Sequence, residues 1–147
     1  MNHPYLRAYM AGIVVPTAFL LVVMTVFTLA RFVFHVPVPI ERVIVFPMAL
    51  IPNVFGVWNM LYVALKSRLR LSIGVHGALL PFVLVPLGFM LGMVLGAITI
   101  DHDGVQAFQA VRVPYASGVF VLPVVGVVYY LVWKYIVGFL NDLVGLG

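Results

Sequence analysis

The sequence predicts an all-α integral membrane protein, in which four transmembrane helices form one antiparallel up-down bundle over residues 1–147. Apolar residues make up 65% of the chain and charged residues 8%, against about a quarter charged in soluble domains. Four uncharged apolar runs, at 8–30, 43–65, 71–100 and 113–133, each reach the ~20 residues that cross a ~30 Å hydrocarbon layer as a helix. The predicted spans are 8–30, 43–65, 73–98 and 115–138.

The charged residues lie at the ends of these runs and predict an orientation. With four spans, both termini share a side with the basic segment 66–70, and this side carries more Lys and Arg than the other. Because Lys and Arg concentrate in cytoplasmic loops, we expect both termini in the cytoplasm, in a bacterial inner membrane. The net charge of +4 does not indicate nucleic acid, since the basic residues form no aromatic-flanked patch. The terminal side holds Arg7, Lys66, Arg68, Arg70 and Lys134 against Asp142, and the opposite side Arg31, Arg42 and Arg112 against Glu41, Asp101 and Asp103.

The first two spans are predicted to form a hairpin, because Pro37 and Pro39 forbid a continuous helix through their connection, 31–42. In the second span, Pro52 and Asn53 fall near the middle of the bilayer. We expect a kink at Pro52 and an Asn53 amide that faces another helix or a wet cavity, because an amide in hydrocarbon is costly without a partner. Asn59 is a second amide of this kind.

The third uncharged run is about 45 Å long as a helix, longer than the hydrocarbon layer, so it must tilt, bend or begin outside it. Pro81 and Pro86 provide places to bend, and a kink is expected here as in the second span. Gly88, Gly92 and Gly96 follow at small-xxx-small spacing, which predicts a ridge that another helix covers closely. We favour packing within one bundle, with a homodimer seam as the alternative.

The fourth run ends in residues typical of a head-group boundary. Tyr129, Tyr130 and Trp133 are amphipathic aromatics, and Lys134 follows them directly. Lys134 is predicted to extend its stem to the cytoplasmic interface rather than to act as a charge inside the membrane.

Two further patterns bear on function. The pattern P-x-x-L-[IV]-P-x-x-F occurs at 47–55 and again at 81–89, on successive and therefore oppositely directed spans. Inverted repeats with helix breaks at mid-depth are typical of transporters. This motivates one alternative, a small facilitator with a mid-membrane site around Pro52, Asn53 and Pro86.

Side chains that carry chemistry are few. Without cysteine there is no thiolate site, and no acid or base lies at the membrane centre. The four histidines, His3, His35, His76 and His102, do not predict a bis-histidine haem, because the one same-side pair, His35 with His102, lies in or near loops. A solvated turn is the favoured interpretation of the outer cluster, and a divalent metal the weaker one, with His35, Asp101, His102 and Asp103 as ligands.

Apolar faces, small residues and short loops favour a non-enzymatic protein without a cofactor. The predicted role is an accessory, scaffold or assembly subunit that acts through helix–helix and lipid contacts. Its expected partners are membrane lipids and either further copies of the chain or other membrane-protein subunits.

Overall fold

A computed structural model describes residues 3–35, 45–107 and 111–146. The connection at 36–44, where Pro37 and Pro39 are expected to separate the first two spans, lies outside these residues. In chain order the helices and strands are α1 (Pro4–Phe32), α2 (Val45–Leu69), α3 (Ile73–Leu79), α4 (Pro81–Val94), β1 (Ile98–Asp101), β2 (Gly104–Ala107), β3 (Val111–Pro114), α5 (Tyr115–Leu131), a π-helical segment (Val132–Val137) and α6 (Gly138–Leu143).

In the described part of the chain, three helical segments are long and apolar enough to cross a membrane: Pro4–Phe32, Ile73–Val94 and Tyr115–Leu143. The second of these combines α3 with α4, and the third combines α5, the π-helical segment and α6. The chain is therefore mostly helical and membrane-associated in character. α2 is 25 residues long. Its crossing remains a prediction, and the first two residues of its predicted span, 43–44, lie outside the described part of the chain.

Two pairs of neighbouring helices run antiparallel. Along α1, Ala8 contacts Asn59 of α2, while Gly12, one turn later, meets Phe55, so numbers rise on one helix as they fall on the other. The same holds between α3 and the last helical segment, where Ile73 meets Gly138 and Gly77 meets Trp133. We call the end of the molecule near residues 3–8, 59–76 and 133–146 the terminal end, and the end with the strands the sheet end.

Glycine permits a close backbone contact between α1 and α2. A Cβ at Gly12 would lie 2.7 Å from the Phe55 carbonyl oxygen and 3.0 Å from the Gly56 Cα atom. Gly56 in turn leaves room for the Tyr9 ring. Lipid is as apolar as a leucine side chain, so the hydrophobic effect does not drive helices together inside a membrane. Van der Waals contact between closely packed backbones contributes to their association instead.

The third helical segment ends earlier than the predicted 73–98. Gly96 has a φ of +66°, the Gly96 N–H donates to the Met93 carbonyl, and the Ala97 N–H donates to the Gly92 carbonyl at 2.8 Å. This is a glycine-terminated helix end. Ile73–Val94 has 22 residues and is about 33 Å long, which matches the hydrocarbon layer without a strong tilt.

The expectation of an all-α chain is wrong at residues 98–107 and 111–114. β1, β2 and β3 form an antiparallel sheet in that order, with Asp101 opposite Gly104 and Val105 opposite Val113. Once the helix has ended at Gly96, the sequence Ile-Thr-Ile-Asp favours a strand, because β-branched side chains fit a pleated surface. A long uncharged run therefore contains a helix end and a strand.

The proline predictions have different outcomes. α2 is helical through Pro52 and α4 through Pro86, so bends at these positions remain predictions. The interruption in the third segment lies at Leu80, directly before Pro81. Pro81 has no N–H for the Gly77 carbonyl, which instead accepts from the Leu80 N–H at 3.0 Å.

Candidate functional site

The terminal end contains a buried pair of amides. Asn59 of α2 and Asn141 of α6 are 0% and 3% exposed. The Asn59 Nδ2 donates to the Asn141 Oδ1 at 2.7 Å, and the Asn141 Nδ2 donates back to the Asn59 Oδ1 at 3.0 Å. The second hydrogen of the Asn59 Nδ2 reaches the Ala8 carbonyl oxygen at 2.7 Å. One amide therefore joins α1, α2 and α6, and its buried polar atoms are all paired, as burial in an apolar environment requires.

A second polar contact joins α2 to α3. The Trp58 Nε1 donates to the His76 carbonyl oxygen at 3.0 Å, and the His76 Nε2 lies 3.0 Å from the Trp58 carbonyl oxygen. Because a carbonyl oxygen only accepts, this imidazole nitrogen must carry a hydrogen. The two rings stack with centroids 4.8 Å apart, and Tyr62 and Trp133 approach the same imidazole. His76 thus clamps two helices.

The C-terminal helix is held by basic side chains that the sequence assigned only to orientation. The Arg7 Nη1 donates to the Val144 carbonyl at 3.1 Å, and the Lys66 Nζ donates to the Leu146 carbonyl at 3.2 Å. Gly145, at a φ of +74°, ends α6 as Gly96 ends α4. Cations are favourable at a helix C-terminus, where carbonyl groups lack partners and the helix dipole is negative.

Trp133 forms the centre of the apolar core. It is 0% exposed and packs with Phe55, Leu80 and Val137. Its side chain occupies the space that a Cβ at Gly77 would need. Its Nε1 has no hydrogen-bond partner among the described residues. Trp133 belongs to the π-helical segment, and π-helical turns are frequent at functional sites.

The predicted mid-membrane residues separate into different environments. Asn53 is exposed on α2, and its Oδ1 accepts from the Tyr9 hydroxyl of α1. Asn59, six residues later, is the buried amide. Pro86 is exposed on α4, which has little contact with α2. The described contacts therefore do not gather Pro52, Asn53 and Pro86 around one polar cavity.

Among the described residues, no other helix packs against the glycine ridge predicted at Gly88, Gly92 and Gly96. Gly96 lies beyond the end of α4, and a Cβ at Gly88 or Gly96 would meet no described residue within 4 Å. Gly92 contacts the Ile98 side chain of β1 rather than a helix. The described glycines that closely approach another helix are Gly12, Gly56, Gly74 and Gly77, none of which the spacing rule identified.

The outer His/Asp cluster is a two-residue turn between β1 and β2. The Arg112 Nη2 lies 3.1 Å from the Asp103 Oδ2 and 3.5 Å from the Asp101 Oδ2, and the His102 Nδ1 lies 3.2 Å from the Asp103 Oδ1. Arg112 thus occupies the carboxylates that a cation would need. Within the described ranges, no three His, Asp or Glu side chains converge as a metal-ligand set, and this includes His35.

Two apolar depressions lie between the helices. The first, which we call the α1–α5 cleft, has a volume of about 290 Å³ and is lined by residues that include Pro16, Phe19, Ile51, Phe55, Val128 and Tyr129. The second, the α3–α5 groove, has a volume of about 500 Å³ and is lined by residues that include Val75, Leu79, Phe82, Gly118, Leu122 and Gly126. No residue of α5 is buried.

The chain matches no protein-family model, no curated protein and no solved structure. The contacts described above are therefore the basis for its proposed function.

Proposed function

We propose that this chain is a non-enzymatic accessory or assembly subunit of a membrane complex, which binds a transmembrane helix of another subunit in the α1–α5 cleft. The observation that supports it is that α5 is apolar over 17 residues yet buries none of them against its own chain. In the first and last crossing segments, only 11% and 6% of the most apolar stretch is buried within the described residues.

The distribution of polar contacts supports a scaffold role. The paired amides, the Trp58–His76 clamp and the basic caps on α6 all lie at the terminal end, where they fix the helices relative to one another. Towards the sheet end, the α1–α5 cleft has apolar walls, with Phe19 66% exposed on one side and Val128 49% exposed on the other. A fixed apolar cleft offers shape complementarity, which drives helix association in lipid, where hydrophobicity does not.

Photo-crosslinking in native membranes tests the proposal. A benzophenone amino acid at Phe19, inside the cleft, should give a defined protein adduct of higher mass. The same amino acid at Phe120, 75% exposed on α5 and not among the residues that line the cleft, is the matched control and should give lipid adducts instead. Lipid adducts alone at both positions would contradict the proposal.

A flux assay in liposomes distinguishes the scaffold from the alternative role as a facilitator. Purified protein in liposomes should not increase the permeability to small solutes if the chain is a scaffold. If the protein does carry a solute flux, and Asn53→Leu abolishes it without unfolding the protein, the scaffold role is wrong. A transport path beside Pro52 and Asn53 would then be the function.

A further inference from the structure

We propose that the α3–α5 groove binds one anionic glycerophospholipid, with an acyl chain along the groove and the phosphate at Lys134. This lipid site is independent of the proposed scaffold role. The length of the groove, the position of its charged end and the open space at its glycines all favour this ligand.

The groove has the dimensions of an acyl chain. Along α5 it extends from Gly118 to Tyr130, a rise of about 18 Å. Its opposite wall is formed by α3 and the start of α4, from Val75 to Phe82. Both walls belong to helices long enough to cross the membrane, so the groove runs parallel to the lipid chains.

Charge marks one end of the groove. Lys134 lies one turn beyond Tyr130, is exposed, and places its Nζ 5.6 Å from the Tyr130 ring centroid and 5.2 Å from that of Tyr135. The Tyr130 ring is itself held against Gly74 of α3, so it connects the wall of the groove to the ammonium group. No carboxylate of the described chain forms a salt bridge with Lys134.

This arrangement fits a lipid better than a second protein helix. A phosphate at Lys134 would be bound at the depth of the head groups, where an ammonium flanked by tyrosines is expected. The acyl chain would then cover Gly118 and Gly126, whose Cβ positions meet nothing within 4 Å in the described chain. An apolar transmembrane helix of a second protein, bound in the groove, would leave the Lys134 ammonium without an anionic partner.

Native mass spectrometry of the detergent-solubilised chain tests this, with phosphatidylglycerol and phosphatidylcholine of identical acyl chains as probes. The wild type should bind the first phosphatidylglycerol about fivefold more tightly, the factor that one cationic side chain near an anionic surface supplies. Lys134→Gln should bring the two affinities to near equality. Arg68→Gln removes the same charge from the terminal end of α2, which does not line the groove, and should leave the preference intact.

Substitutions in the groove itself test the acyl chain. Gly126→Leu fills the groove at a position with open space, so the protein should fold and bind both lipids more weakly. Gly88→Leu adds the same bulk on α4, at a position that does not line the groove, and should change neither affinity. Equal wild-type affinities, an unchanged preference in Lys134→Gln, or a Gly126→Leu variant that alters the oligomeric mass but not lipid binding would overturn the proposal.

Discussion

At the residue scale, the two asparagines of α2 differ in what their amides touch. Asn53 is exposed and bonds Tyr9, whereas Asn59 is buried and bonds two partners. Six residues rotate the direction of a side chain by about 240° around a helix, so the two amides face different neighbours. The sequence identified both as polar groups in an apolar helix but ranked Asn53 first, because it lies nearer the bilayer centre.

We expect Asn59→Leu to destabilise the protein by about 1–3 kcal/mol, since it leaves the buried Asn141 amide without a partner. Asn53→Leu, at an exposed position, should cost less. The double variant Asn59→Leu with Asn141→Leu should cost less than the sum of the single variants, because both members of the pair are then gone. Unfolding in detergent measures the stability of the wild type and of these four variants. If the losses of the Asn59→Leu and Asn141→Leu single variants add exactly to that of the double variant, the pair is not coupled.

Gly77→Ala should destabilise the protein by about 1–3 kcal/mol, the usual cost of overpacking, since the added methyl group needs the space of the Trp133 side chain. The near-ultraviolet circular dichroism of the tryptophans should change with it. Gly88→Ala adds the same methyl group where nothing lies within 4 Å and is the control. Equal melting temperatures for the two variants would contradict the packing of Trp133 against α3.

At the element scale, the sheet is the part of the fold that hydropathy alone concealed. Residues 98–100 of β1 extend the uncharged run of the third span to Ile100. The next charges, Asp101 and Asp103, lie at the end of β1 and in the turn that follows it. The helix end at Gly96 was readable in principle, because a glycine directly after the last helical residues is a stop signal. The length of the uncharged run predicted a helix to residue 98 instead, whereas the helix ends at Val94.

Gly104→Ala should disturb this sheet and leave the helices intact. A Cβ at Gly104 would lie 2.5 Å from the Val113 carbonyl oxygen, so β2 and β3 would have to separate. Amide hydrogen exchange should therefore speed up at Val105 and Val113. Gly118→Ala, with open space around its Cβ, serves as the control. Unchanged exchange in the sheet of Gly104→Ala would show that the strands do not pair in this register.

At the scale of the whole molecule, the contacts between the two ends of the chain fix the relative position of the termini. Arg7 bonds the Val144 carbonyl and Lys66 that of Leu146, so the described terminal residues share one end. The basic residues at this end predict that it faces the cytoplasm. The same side chains thus have two roles, in orientation and in capping α6.

A pair of reporter fusions tests this orientation. A reporter active only in the cytoplasm should be active at the C-terminus and silent when inserted between His102 and Asp103, in the turn at the sheet end. The opposite pattern would invert the orientation. Activity at both positions would exclude the predicted four crossings, because it would place the two ends on one side of the membrane.

The sequence alone predicts the membrane class, the approximate positions of the long apolar helices and the charge asymmetry. Each follows from local composition: apolar length sets the spans, and Lys and Arg mark their ends. The last long apolar helical segment runs from Tyr115 to Leu143, and the crossing predicted at 115–138 stays a prediction.

Which faces of the helices contact each other is visible in the tertiary structure and could not be predicted from the sequence. A helix that is apolar on all sides carries no amphipathic signal, because lipid and protein interior are alike to it. Whether a glycine lies against another helix therefore depends on the residue that faces it. Trp133 faces Gly77, whereas no described residue comes within 4 Å of a Cβ at Gly88. In the same way, Asn59 is buried because Ala8 and Asn141 reach it from two other helices, a coincidence in space that spacing along one helix does not encode.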